Sequence, residues 1–206
     1  FIAQTVDGVG IRGQYFHNEM ATKTTLEFSK GINLRDVPII THEVGQYTVF
    51  PNIHEIPKYE GVLEPTNLKY IKHVLDDKGL THLARKYTLN SGKTSYRLYR
   101  DEIEAALRTK NLAGIQLLDL HDFPGQSTAT VGMLDCFWDS KNIVSSRRFR
   151  EFTARVVPLL HMDKRLFNSG EKVSFGISVS NYGEVDLLNS TITFELWNDY
   201  LIHSES

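Results

Sequence analysis

The stretch VPIITHEVGQYTVFP, residues 37–51, runs an apolar segment straight into a polar one. Val37–Thr41 reads as a short β-branched strand, and His42-Glu43 and a Gly45-Gln46-Tyr47 turn follow at once. A carboxylate at the end of a buried strand is costly to desolvate unless partners satisfy it. Strand ends that open into a site accept that cost. Glu43 therefore has two readings. In one it caps the turn or pairs with an arginine. In the other, His42, Gln46 and Tyr47 hold it oriented as a carboxylate that acts on a ligand.

A second stretch repeats the pattern. In GIQLLDLHDFPGQ, residues 114–126, the run Gly114–Leu120 ends in Asp119, His121 and Asp122, then a Pro-Gly turn and Gln126. These side chains either close a buried network beneath the loop or line a site. Near-continuous apolar runs of this kind predict parallel strands covered on both faces. With the two strands parallel, both polar clusters emerge at one end of the sheet. Helical material lies between them. EPTNLKYIKHVLDDKGL places Leu68, Ile71, Val74 and Leu75 on one face, with Gly79 as the C-terminal stop. Thr81–Asn90 follows, with Leu83, Ala84 and Tyr87, and then SYRLYRDEIEAALRT, with Leu98, Ile103, Ala106 and Leu107. Strand, helices, strand is the grammar of an α/β barrel or a doubly wound sheet. So long a connection requires an elaborated loop, which PNIHEIPKYEGVL (51–63) supplies.

The pattern changes near residue 155. In KVSFGISVSNYGEVDLLNSTITFELWN, Val173, Phe175, Ile177 and Val179 alternate, and Ile192, Phe194 and Leu196 do so again after a Tyr182-Gly183 turn. Two antiparallel strands joined by a turn-rich segment predict a β-sandwich, cut short because such a domain needs about 100 residues. The expected division is 1–154 and 155–206.

Chain-wide properties exclude several classes. The 206 residues are 41% hydrophobic with a formal net charge of −2, and no basic stripe marks a nucleic-acid binder. No apolar run reaches the roughly 18 residues of a membrane span. The single Cys136 excludes an intrachain disulfide. The first residue is Phe1, without Met or a signal-peptide pattern, so the chain is expected to be a piece of something longer. The eight histidines form no HxH or HExxH pair, and His54, His73, His82 and His203 read as surface residues. No GxSxG elbow is present.

Three long segments, VPIITHEVGQYTVFPNIHEIPKYEGVLEPTNL, DEIEAALRTKNLAGIQLLDLHDFPGQSTATVGMLDCFWDSK and FREFTARVVPLLHMDKRLFNSGEKVSFGISVSNYGE, together resemble the glycoside hydrolase family 2, β-galactosidase-like proteins of gut Bacteroidetes. The resemblance covers most of the chain. It implies an α/β fold: the C-terminal portion of a (β/α)8 TIM barrel, followed by the start of an Ig-like sandwich. The strand leading into Glu43 resembles the seventh barrel strand, whose end carries the catalytic nucleophile, and GIQLLDL resembles the eighth. In two respects the chain departs from the pattern. The fourth-strand segment bearing the acid/base is absent, and His-Glu-Val-Gly-Gln replaces the Cys-Glu-Tyr of well-known β-galactosidases, which leaves the sugar open. Asn18-Glu19 mimics the acid/base pair. Only 24 positions separate Glu19 from Glu43, however, and three intervening βα units would need roughly 30 residues each, so Glu19 reads as a loop carboxylate.

The resemblance implies a retaining exo-glycosidase with Glu43 as nucleophile and His42, Gln46 and Tyr47 orienting it or touching sugar hydroxyls. Asp119, His121 and Asp122 would line the subsite floor, with Trp138 or Tyr15 as a stacking face. No metal or cofactor is expected. The expected partners are a carbohydrate substrate, N-terminal domains of the same polypeptide and a second copy of the chain, at a periplasmic or cell-surface location. The rival expectation is a non-catalytic carbohydrate-binding or scaffolding member with a degenerate barrel.

Overall fold

The computed structural model describes residues 1–13, 22–123, 129–198 and 200–205. Tyr15, Asn18, Glu19 and Gln126 lie outside them. Its central element is a three-stranded sheet of β1 (Ile2–Ala3), β4 (Ile39–Val44) and β5 (Leu112–Leu117), in that order and parallel throughout. Ile2 pairs with Ile40, and Ile40 with Gly114. The two runs expected to be parallel neighbours are so, with one shift. The strand begins two residues later than Val37 and extends through Glu43 to Val44, and the ladder is irregular between Thr41 and Val44. Glu43 thus stands inside the last turn of the strand rather than after it.

The expectation of cover on both faces holds for one face only among the described residues. Ile39 and Thr41 are fully buried, while Ile2 is 57% exposed and Gln116, on the same side as Ile40 and His42, is exposed. The covered face packs on a short hairpin, β2 (Thr5–Val6) with β3 (Val9–Gly10), on the single turn α1 (Ser29–Ile32) and on the long helix α3 (Ala84–Arg108). Val6, Ile11, Phe28, Ile39, Ala105 and Leu112 form one core cluster, and Val44, Val49, Tyr99, Ile103, Met133 and Phe152 form a second.

Helix α2 (Thr66–Asp77) presents Leu68 and Leu75 inward and stops before Gly79, whose φ of +65° supplies the left-handed C-terminal residue. The two helices expected next are one. After a 3₁₀ turn (Thr81–Leu83), α3 runs unbroken through Asn90-Ser91-Gly92. Glycine is retained there by close approach, since a Cβ on Gly92 would lie 2.5 Å from the Ile143 side chain. Ser91 also donates back to the Tyr87 carbonyl and accepts the Phe50 amide, which satisfies its hydroxyl inside the helix.

In the last fifty residues the structure departs from the expected pairing. β7 (Gly176–Asn181) pairs antiparallel with β6 (Val156–His161), and β8 (Phe194–Asn198) with β9 (Tyr200–Glu205). The two alternating runs therefore belong to separate two-stranded ladders, touching through the Phe175 and Phe194 rings at 5.0 Å. Pro158 makes VVPLLH look unlike a strand, yet an edge strand accommodates it, and Val157 and Leu159 are buried. The β6–β7 ladder is tied to the parallel sheet and α3. Tyr182 donates to the Leu112 carbonyl at 3.0 Å, Arg108 donates to that of Leu160 at 3.1 Å, and Arg165 pairs with Asp101 at 2.5 Å.

Candidate functional site

Polar side chains gather at the C-terminal ends of all three parallel strands. Gln4 follows β1, Glu43 ends β4, and Asp119 and His121 follow β5. The Leu118 amide donates to the Val44 carbonyl at 3.0 Å, so the β4 and β5 ends stay in register up to the polar residues.

Glu43 adopts a φ of +59°, in the left-handed region that a glutamate seldom occupies. Gly45, two residues on, has a φ of +93°, and a Cβ there would overlap the Tyr99 ring at 1.9 Å. The backbone is thus forced into a tight turn that lifts Glu43 out of the pleat. Its carboxylate is partly exposed, accepts a hydrogen bond from Gln4 Nε2, and lies 3.5 Å from Arg12 Nη1 and 3.7 Å from His42 Nε2. Arg12 is buried, and its Nη2 donates to Gln46 Oε1 at 3.2 Å. His42 Nδ1 meets Gln116 Oε1 at 2.6 Å across the two strands.

Helix α3 holds this turn from below with polar residues at helical spacing. Ser95 donates to the Tyr47 carbonyl at 2.9 Å. Tyr99 donates to the carbonyls of Asp119 at 2.5 Å and Val131 at 3.1 Å. Glu102, with no exposed surface, accepts from the amides of Gly13 at 2.5 Å and Gly45 at 3.1 Å and from the Tyr47 hydroxyl. Burial, then the Glu102 charge, pushes the Tyr47 phenol far above its ordinary value.

After β5, the Asp119 carboxylate accepts the Leu120 amide at 2.6 Å and lies 3.7 Å from His121 Nδ1. The His121 ring stands edge-on to Trp138 at 4.2 Å, and Trp138 is 60% exposed. A cavity of about 630 Å3 has Leu120, Leu134, Asn142 and Arg150 among its walls, and none of Glu43, Asp119, His121 and Trp138.

The structure groups Glu43, His42 and Gln46 around Arg12, and Asp119 with His121 after the neighbouring strand. Two expected ligand contacts are placed elsewhere. Asp122 is buried, pairs with Lys141 Nζ at 2.5 Å and accepts the Gly132 amide at 3.0 Å. Burial pushes its carboxyl above the ordinary range, and Lys141 opposes the shift. Tyr47 is buried with its hydroxyl spent on Glu102, so it supports the turn instead of lining it. Gln4, Arg12 and Glu102 escaped the sequence reading, since each lies far along the chain from the residue it serves. The one available signal was the short apolar IA before Gln4, a small copy of the strand-then-polar pattern. Among the described residues, no three His, Cys, Asp or Glu side chains converge to hold a metal ion, and no helix is long and apolar enough to cross a membrane. No protein-family model matches the sequence, and no curated protein matches it.

Proposed function

We propose that this chain is part of a retaining, β-galactosidase-like exo-glycosidase in which Glu43 is the nucleophile and the parallel sheet is a sector of a (β/α)8 barrel. One observation carries the reading. A carboxylate is lifted on a left-handed turn at the C-terminal edge of a parallel sheet and braced by a buried arginine and an amide. In this chemistry the Glu43 carboxylate attacks the anomeric carbon while the bond to the leaving oxygen breaks, giving a glycosyl ester that water then hydrolyses. Gln4 and Arg12 fix the direction of attack. Asp119 and His121 face the sugar hydroxyls, Trp138 offers a stacking face, and the acid that protonates the leaving oxygen comes from residues not described here.

The test isolates the nucleophile from that acid. Dinitrophenyl 2-deoxy-2-fluoroglycosides carry a leaving group that departs without a proton, so the ester forms and persists. Across a panel of such sugars, one should add a single fluoroglycosyl unit to the intact mass, on the peptide containing Glu43. Glu43→Gln should reduce labelling on the order of 10³-fold or more, with the melting temperature almost unchanged. Labelling of a different residue would sink the assignment. No label from any sugar, combined with saccharide binding by calorimetry, would favour the non-catalytic binding module.

A further inference from the structure

Arg12 stands between two carboxylates, and only one of them is on the ligand side. Its Nη1 is 3.5 Å from Glu43, and its Nε is 4.0 Å from Glu102 and makes no hydrogen bond. Glu102 is deep in the protein and reached by nothing outside it. Its two oxygens divide the work: Oε1 takes the Gly13 amide, beside Arg12 in sequence, and Oε2 takes the Gly45 amide, at the turn that carries Glu43. Both glycines are sterically committed to this arrangement, since a Cβ on Gly13 would fall within 2.8 Å of the Glu102 side chain, as one on Gly45 would overlap Tyr99.

We propose that Glu102 is a positioning residue of the site, acting from α3 on Arg12 and on the Glu43 turn at once, a role that rests on the reading of Glu43 as nucleophile. A neutral glutamine would satisfy only part of this set, since its Nε2 donates and cannot accept one of the two glycine amides. What the carboxylate adds is a negative charge that draws Arg12 away from Glu43. The guanidinium then braces Glu43 at a distance and leaves its oxygens free to attack. Among the described residues, the charged and titratable groups around Glu102 and Arg12 include Tyr47 from the turn after β4, Tyr99 and Asp101 from α3 itself, and Glu43 with His42 on the far side of Arg12.

Glu102→Gln removes the charge together with one acceptor for a glycine amide, whereas Glu102→Asp keeps the charge and both acceptor oxygens. Three measurements apply: near-ultraviolet circular dichroism for packing, the Arg12 Nε–Hε resonance (assigned with Arg12→Lys), and the rate of Glu43 labelling by the fluoroglycoside. The folded variant should shift the Arg12 resonance and label about tenfold more slowly or worse, with the half-saturating sugar concentration unchanged. A purely structural carboxylate would alter the circular dichroism and leave the Arg12 resonance and the labelling rate of the folded protein unmoved. Glu102→Asp keeps the charge but withdraws it by one methylene, and should label at an intermediate rate; if Glu102→Gln does not fold, this variant decides. Wild-type labelling and an unmoved Arg12 resonance in either folded variant would overturn the proposal. An Arg12 shift in a protein whose wild type takes no label would retain the Glu102–Arg12 linkage and remove the glycosidase reading.

Discussion

Glu55 contains, in one side chain, the conflict that the opening stretch posed for Glu43. It is buried on the 3₁₀ helix Ile53–Lys58, and its Oε1 has no hydrogen-bond partner. Burial pushes its carboxyl from an ordinary 4.5 up to about 7, with Asn52 and Lys141 opposing and Asp122 and Asp135 adding to the shift. Tyr59 and Cys136 also face it. The native state therefore favours the protonated form. The stability tied to that proton is fully present below 4.5 and is lost as pH rises toward about 7. Glu55→Gln, which mimics the protonated acid, should remove this decline. Urea midpoints of the two proteins should converge below that window and separate above it in favour of the variant; parallel curves would show that Glu55 ionises without penalty. Sequence alone gave no hint of this. HEIPK looks like a solvated loop, and only the fold sinks its glutamate among three other acidic or thiol groups.

Among the elements, α3 marks the boundary of what pattern can tell. Its apolar periodicity was plain on both sides of Asn90-Ser91-Gly92, and α2 with its Gly79 stop was legible almost to the residue. The gap read between Asn90 and Ser95 is helical as well, and its glycine answers to Ile143, fifty-one positions later. Gly92→Ala tests the point. In an exposed helix it would stabilise by about 1 kcal/mol. Here the crowding against Ile143 should outweigh that gain, for a net loss of roughly 1–2 kcal/mol in chemical denaturation. Combined with Ile143→Ala, the loss should be clearly less than additive. A stabilised Gly92→Ala would mean that Ile143 yields freely. The polar stripe Ser95, Tyr99 and Glu102 was equally hidden: spacing marks an inward face, but not which carbonyls and amides wait beneath it.

At the scale of the whole molecule, the parallel pairing of β4 and β5 and the common end of their polar clusters could be read from two apolar runs. The pairing of the last four strands could not, because alternation identifies a strand's faces and says nothing of its neighbour. In the last fifty residues Val173, Phe175, Leu188, Leu196 and Trp197 are each at least 41% exposed, and one face of the parallel sheet is open as well. Apolar area on this scale, together with unpaired strand edges, drives association. The 206-residue chain should elute from size exclusion with a light-scattering mass above that of one copy, increasingly so at higher concentration. A monodisperse monomer across that range would mean that these side chains cover one another in solution.

The two tryptophans of the chain, Trp138 and Trp197, are 60% and 59% exposed, while the buried aromatic core is built from Tyr47, Tyr99, Phe28 and Phe152. The optical properties of the protein are therefore inverted relative to those of most domains. Native indole emission should already lie toward the red, and unfolding should barely move it, so the collapse of the core is better followed through tyrosine. Trp138 is also a local reporter. With the His121 imidazole edge-on at 4.2 Å, its quantum yield depends on the charge of that ring, and a sugar laid on its face would shield it from iodide. Read against Trp138→Phe, which leaves only Trp197, the quenching of this indole would then register a bound sugar without any turnover at all.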